Sequence, residues 1–252
     1  MSWASKFRAF SVGRMMALAV VCSSSGLSSE AGHPNLIQPK IFELIQQANA
    51  AQMKGENSRA MACAEAVTMP GTVKVRLFLD GVPLDQQLKI SNAVERSLKH
   101  WEQAVDGQTQ FDIVSSGPAS IRIRAANSVR LMGKEIAGHA VWSRDVQDWG
   151  LGQFRAKVSA DIDLRYERPD GGFLSEDALV HATMHELGHV LGLWDSPEIG
   201  TIMGPLQLDR PVTALSPFEI NSLMSARNQA WIVAEACGAN QMAARFPGRN
   251  SR

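Results

Sequence analysis

The stretch HELGHVLGLWD, residues 185 to 195, constrains this 252-residue chain more than any other. On a helix, residues four apart lie about 40° apart around the axis and about 6 Å along it. His185 and His189 therefore project side by side, and both imidazoles can reach one Zn²⁺ ion at about 2.0–2.1 Å. Glu186 is rotated about 100° from His185, off the ligand direction but next to it. A carboxylate there can take a proton from a water at the metal. Gly192 ends the helix three residues after His189, because a residue without a Cβ enters the left-handed region freely. A reversal at Gly192 would return Asp195 toward the metal as a third ligand; the alternative is that Asp195 caps a turn through Ser196-Pro197 and another group, such as Glu198, Glu219 or His181, binds the metal. The other face of the helix, Val180, Met184, Leu187 and Leu191, is apolar and packs on a core. His181 precedes His185 by one turn. Ligands from three consecutive turns drift by about 40° at each step, so a supporting role is expected for it.

Upstream of this helix the pattern alternates between strand and helix periods. TVKVRLFLDG places Val73, Val75, Leu77 and Leu79 on one face and closes on Asp80-Gly81, a strand and its turn. LDQQLKISNAVERSLKHWEQAV carries Ile90, Val94, Leu98, Trp101 and Val105 as an apolar stripe of helical period. FDIV, SIRIRAA and EIAGHAVW read as further strands. In KVSADIDLRY, Val158, Ala160, Ile162, Leu164 and Tyr166 alternate with polar residues, and Asp161 and Asp163 fall on a solvated face. Ser175, followed by Glu176 and Asp177, caps the motif helix. Ser216-Pro217 opens a last helix with Phe218, Ile220, Leu223 and Met224 inward.

Lys6, Arg8 and Arg14 precede the apolar MMALAVVC and then small and polar residues. That order is a secretory signal peptide, and its apolar core is too short to span a bilayer. Residues 1–31 are read as signal, with cleavage between Ser23 and Ala31. The chain is then secreted or periplasmic, without stable membrane insertion of its mature part. Val21 is too bulky before Cys22 for a lipidation site. Cys63 and Cys237 remain, and two cysteines in an exported chain point to a disulfide. The competing reading makes Cys63 a thiolate that plugs the metal site in a latent precursor. Residues 32–70 are helical around Ile41, Leu44 and Ile45, either a pro-segment or an N-terminal brace. Apolar residues at 45% and charged residues at 20% are globular composition. With 25 basic and 25 acidic residues, the balance argues against a nucleic-acid footprint or a polybasic membrane patch.

HELGHVLGLWD followed by TIMGP resembles a metzincin metalloprotease, and most of all the matrixin branch. The resemblance covers about 155 residues, from Val73 to Arg227. GHAVW is similar to the matrixin edge strand, and TALSPFEINSLMSA to the start of its last helix. The resemblance implies an α+β catalytic domain over residues 71–230, with a C-terminal tail over 231–252. Its fold would be a twisted five-stranded mixed sheet with two helices, a Met-turn at Met203 and a C-terminal helix. It further implies one catalytic zinc ion held by His185, His189 and Asp195, above Met203 as a hydrophobic floor. For Met203 the alternative of an ordinary core methionine stays open. The chain departs from the family at several points. Most matrixins have histidine as third ligand, whereas Asp195 is similar to the snapalysin group. Of the histidines that hold a structural zinc in matrixins only His139 has a match, so no second zinc is expected. The pro-region cysteine motif is missing around Cys63. No tyrosine follows the Met-turn, since Tyr166 is the only one in the chain.

The expected function is a zinc endopeptidase acting on a polypeptide. A peptide would add along the edge strand near Ala137 and Gly138 by main-chain pairing. Glu186 would deprotonate a zinc-held water and pass the proton to the leaving amine. A second reading takes the third ligand from the later helix, as thermolysin-type enzymes do, with Glu219 as candidate. A third is a noncatalytic exported protein that keeps fold and zinc. An intact Glu186 weakens it, because a pure binding module has no use for a general base.

Overall fold

The structure, a computed structural model, describes residues 36–245, except for the side chains of residues 239–245. The signal peptide expected at residues 1–31 lies outside the described residues. Twelve elements follow in order: α1 (Pro39–Met53), α2 (Asn57–Thr68), β1 (Gly71–Phe78), α3 (Leu84–Ala104), β2 (Thr109–Ile113), β3 (Ile121–Ala126), the short β4 (Arg130–Leu131) and β5 (Lys134–Glu135), β6 (Gly138–Asp148), β7 (Phe154–Arg165), α4 (Glu176–Leu191) and α5 (Pro217–Arg245).

The expected α+β fold is the one observed. Five strands form one mixed sheet in the order β2-β1-β3-β7-β6, parallel from β2 through β7 and closed at one edge by the antiparallel β6. Alternation decides which face is buried. Val75, Ile121, Ile123, Ala160, Ile162 and Leu164 point into the core. The residues between them form ion pairs on the solvated face, where Arg122 grips Asp161 at 2.6 and 2.5 Å and Arg124 reaches Asp163 at 3.3 Å. Helices α3 and α4 lie against the apolar face. The stripe from Ile90 to Val105 is buried throughout. Two side chains of α3 tie it to α4: Ser97 Oγ donates to Val180 O at 3.2 Å, and Trp101 Nε1 to Met184 O at 3.0 Å.

The ladder between β6 and β7 sets which edge groups are free. Arg165 N–H donates to Ala137 O at 2.9 Å, and the register pairs His139 with Asp163 and Val141 with Asp161. Antiparallel pairing alternates, so the odd-numbered residues of β6 bond inward. Gly138, Ala140 and Trp142 then turn their N–H and C=O groups to the open edge.

Among the described residues there are five helices: the sheet-backing pair and last helix that the resemblance implied, and α1 and α2 in the N-terminal segment expected to be helical. Helices α1 and α2 contribute Ile41, Leu44, Ile45, Met61 and Val67 to the same core as the sheet. Arg144, on β6 and 3% exposed, joins them to α4. Its guanidinium donates to Ala66 O and Val67 O at the end of α2 and to Val190 O at the end of α4. These carbonyls are the negative ends of two helix dipoles, a suitable place for a buried cation. Burial pulls the Arg144 pKa down to about 10.

Helix α5 continues past the boundary placed at residue 230, because Trp231, Val233 and Ala234 have apolar surface to bury against the core and α2. It breaks at Gly238. The disulfide expected between Cys63 and Cys237 is not formed in this structure, where both are free thiols. Cys63 is fully buried with Ala48, Ala51, Ala60 and Val233, and Cys237 packs against this cluster. Burial raises the pKa of both thiols. A thiol so enclosed is no plug for a metal site, which removes the latency reading. Among the described residues, no helix is long and apolar enough to cross a membrane.

Candidate metal centre

Helix α4 begins where the sequence places it. Ser175 Oγ accepts from Ala178 N–H at 3.2 Å, and Glu176 and Asp177 occupy the first turn. It ends at Gly192 with φ 112°, where Gly192 and Leu193 N–H groups both return to Gly188 O. The reversal leads into Asp195, and the backbone is anchored on both sides of it. Trp194 N–H donates to Leu36 O at 2.6 Å and Ser196 N–H to Met203 O at 2.8 Å.

Asp195 Oδ1 lies 3.2 Å from His185 Nε2 and 3.3 Å from His189 Nε2. The three donor atoms fall within 4.8 Å of one another. Atoms bound tetrahedrally to zinc at about 2.0–2.1 Å stand about 3.3–3.4 Å apart, so both edges fit such an ion. The imidazoles are also prepared for it. His185 Nδ1 is 2.8 Å from Ile202 O, and His189 Nδ1 is 3.0 Å from Leu193 O. A carbonyl only accepts, so each Nδ1 carries a proton, which leaves Nε2, the nitrogen facing Asp195, as the one a metal ion would bind. The contacts to His185 and then His189 hold the Asp195 carboxyl below the usual carboxylate range. Burial alone would lower the His189 pKa, but the hydrogen bonds to Asp195 and Leu193 outweigh it and the net shift is upward.

Glu186 is 6% exposed, and burial raises its pKa, against the opposing pull of His185 and His189. Its side chain lies on the backbone of Gly138: a Cβ there would sit 2.8 Å from both Glu186 Cγ and Oε1. The helix thus delivers the carboxylate to the start of the edge strand. Ala137, expected at this edge beside Gly138, spends its carbonyl on Arg165 inside the sheet, so the outward groups are those of Gly138 and Ala140.

Met203 is fully buried, directly under α4. A Cβ at Gly188, between the two histidines, would meet Met203 Sδ at 2.3 Å and Trp101 Cζ2 at 3.2 Å. Glycine inside a helix costs about 1 kcal/mol against alanine, and here the close approach of Met203 is its reason. Glu219 fixes the same turn from below. Its Oε1 accepts from Met203 N–H and its Oε2 from Ser216 N–H, both at 2.7 Å, while Ser216 Oγ accepts from Glu219 N–H at 3.2 Å. This is a reciprocal capping box, legible as Ser-x-x-Glu at 216–219. Both oxygens of this fully buried carboxylate are engaged by backbone donors, so Glu219 is not a third ligand. His181 is buried as well. Its Nδ1 accepts from Val212 N–H at 3.1 Å, tying the segment after the Met-turn to α4.

A cleft of about 1180 Å³ lies elsewhere, between α2, the start of β7 and Cys237, and His185, His189 and Asp195 do not line it. The centre itself sits on the surface beside the β6 edge, with Asp195 exposed. No curated protein matches the chain. The family model described as Matrixin matches residues 73–217, more than half of the chain, from within β1 to the start of α5. The chain belongs to the matrixins, a family of zinc metalloproteases.

Proposed function

We propose that this protein is an endopeptidase that cuts extended polypeptides with one zinc ion held by His185, His189 and Asp195. The observation that carries this reading is the spacing of Asp195 Oδ1 at 3.2 and 3.3 Å from two imidazoles of fixed tautomer, with Glu186 next to them. Zinc in that position would supply Lewis-acid polarisation of the scissile carbonyl and a more acidic water. The chain supplies the rest. Glu186 takes a proton from the attacking water and returns it to the leaving amine. Burial favours its protonated form, which suits a group that must hold a proton between those two steps. The outward N–H and C=O groups of Gly138 and Ala140 pair with the substrate main chain and lay it along β6, beside Glu186.

Export belongs to the same proposal, supported by the basic, apolar and small-residue order of residues 1–31. Oxidation of Cys63 and Cys237 to a disulfide goes with it, supported by their place in one small cluster. A loss of two hydrogens in the non-reduced intact mass of the exported protein is the expected sign, and two alkylatable thiols would refute it.

The function is tested by incubating the purified protein with a denatured protein mixture, with and without a chelator, and sequencing the new termini. New termini that vanish with chelator and return with zinc are expected. A zinc-replete protein that cuts nothing in the mixture would instead support the noncatalytic reading.

A further inference from the structure

The five residues that separate His189 from Asp195 are held from outside the family-matched region. Leu193 O accepts twice, from His189 Nδ1 at 3.0 Å and from Gln38 Nε2 at 2.8 Å. Gln38 Nε2 also lies 3.1 Å from His189 O, and Gln38 N–H donates to Gly192 O at 2.9 Å. Trp194 N–H closes the set on Leu36 O, and Ile37 bridges Leu193 as an antiparallel partner. Gln38 is 1% exposed. The first turn of α1 abuts the reversal so closely that a Cβ on Gly192 would meet Ile41 Cγ1 at 2.7 Å.

We propose that Gln38 is a positioning residue of the zinc site and that residues 36–69 remain in the working enzyme. The inference rests on the zinc peptidase reading above. The carbonyl of Leu193 is what fixes the His189 tautomer and ring direction, and such an acceptor works only if it is itself held. Gln38 holds it with a buried amide, and its main chain holds the residues on either side. Gln38 itself touches His189 only at its carbonyl and otherwise acts through Leu193 O, the partner of Nδ1, so none of these contacts takes up Nε2. A segment that had to leave for activity would cover the donor atoms; this one supports them. Its departure would strip Leu193 O of one donor, Trp194 N–H of its acceptor and the buried Arg144 of two of its three carbonyls. Each is a polar group left short of a partner, and the Arg144 guanidinium among them is buried.

Two measurements test this. The N-terminus of the exported, active protein is mapped by intact mass: it should lie before Leu36, and an active zinc-containing form that starts after Met69 overturns the proposal. Zinc affinity of Gln38→Leu is measured by chelator competition, together with the melting temperature of the metal-free protein. Weakening by about 10- to 100-fold is expected, the usual loss for a partner that orients a metal-bound histidine. The cobalt-substituted visible spectrum should shift as the His189 ring reorients. A merely structural amide would lower the metal-free melting temperature and leave zinc affinity and spectrum unchanged, which refutes the positioning role. Should Gln38→Leu fail to fold, Gln38→Met, unbranched and of similar length, is read in the same way. A parent protein that binds no zinc sinks the peptidase reading itself, whereas equal zinc affinities of parent and variant sink only this inference.

Discussion

Adding one methyl group to Gly138 should disable catalysis while leaving the zinc site whole. The new Cβ would stand 2.8 Å from Glu186 Cγ and Oε1 and 3.1 Å from Cδ. Carbon atoms pack best at about 3.5–4.0 Å, so the carboxylate must withdraw by roughly 0.7–1.2 Å. Glu186 is 6% exposed, which leaves it little room on its own side. Misplacing a reacting group by about 1 Å costs on the order of 10²-fold in rate. The three atoms nearest the new Cβ all belong to Glu186, so His185, His189 and Asp195 have no cause to move. Overpacking costs about 1–3 kcal/mol, offset in part by the ~0.4–1 kcal/mol that alanine gains over glycine through the unfolded chain. The assay is kcat on a peptide chosen from the mapped cut sites, with zinc content and melting temperature measured alongside. Gly138→Ala should keep one zinc, lose no more than a few degrees and fall about 10²-fold in kcat. In a Glu186→Ala background the three nearest atoms are gone, and the same substitution should do nothing further. Activity within threefold of the parent, or an equal loss in that background, would refute the reasoning.

Glu186→Ala should retain zinc and fold while turnover drops about 10²- to 10⁴-fold, checked by metal analysis and initial rates. Asp195→Ala should lose most zinc affinity in chelator competition, because it leaves two imidazoles, whereas Asp195→His should retain the metal. Glu219→Gln replaces one acceptor oxygen by a donor facing a backbone N–H; a loss of about 1–3 kcal/mol in denaturant unfolding is expected, with zinc affinity weakened through the displaced Met-turn. Gly188→Ala should destabilise by about 1–3 kcal/mol despite a helix-propensity gain of about 1 kcal/mol, because the methyl group collides with Met203; a more stable variant would contradict that contact.

What could be read from the sequence was local and periodic. The helix pitch alone sets His185 beside His189, and the strands announce themselves by Val73 and Val75 or Ile121 and Ile123. Ser175 and Gly192 mark the ends of α4 through side-chain chemistry that acts within a few residues. The contacts that escaped are long-range. Nothing in the helical period of residues 39–53 says that Gln38 will meet Leu193, 155 residues later. Arg144 reads as an ordinary polar position on an alternating strand, yet the two helix ends above it make it a buried clamp. The choice between Ala137 and Gly138 as outward edge residues turned on the phase of the ladder, which only the partner strand β7 fixes. Glu219 was within reach: its spacing from Ser216 is that of a capping box, and a carboxylate with that duty has no oxygen left for a metal.

These contacts converge on how an aspartate can stand where most of the family has histidine. A carboxylate on one methylene reaches less far than an imidazole, so the backbone of residue 195 must come closer to the two histidines and stay there. The loop that does this is anchored at four residues. Gly192 O and Leu193 O are held by Gln38, Trp194 N–H by Leu36 O, and Ser196 N–H by Met203 O. Met203 in turn hangs from Glu219 through its own N–H and fits under Gly188. The approach of Asp195 is therefore set from two sides, by the N-terminal segment through residues 36–38 and by the last helix through the Met-turn. The N-terminal support lies before the region shared with the family at large, which begins at residue 73. As a ligand the shorter aspartate would demand a more tightly held loop, and in this chain part of that hold is added by residues 36–38, just before α1.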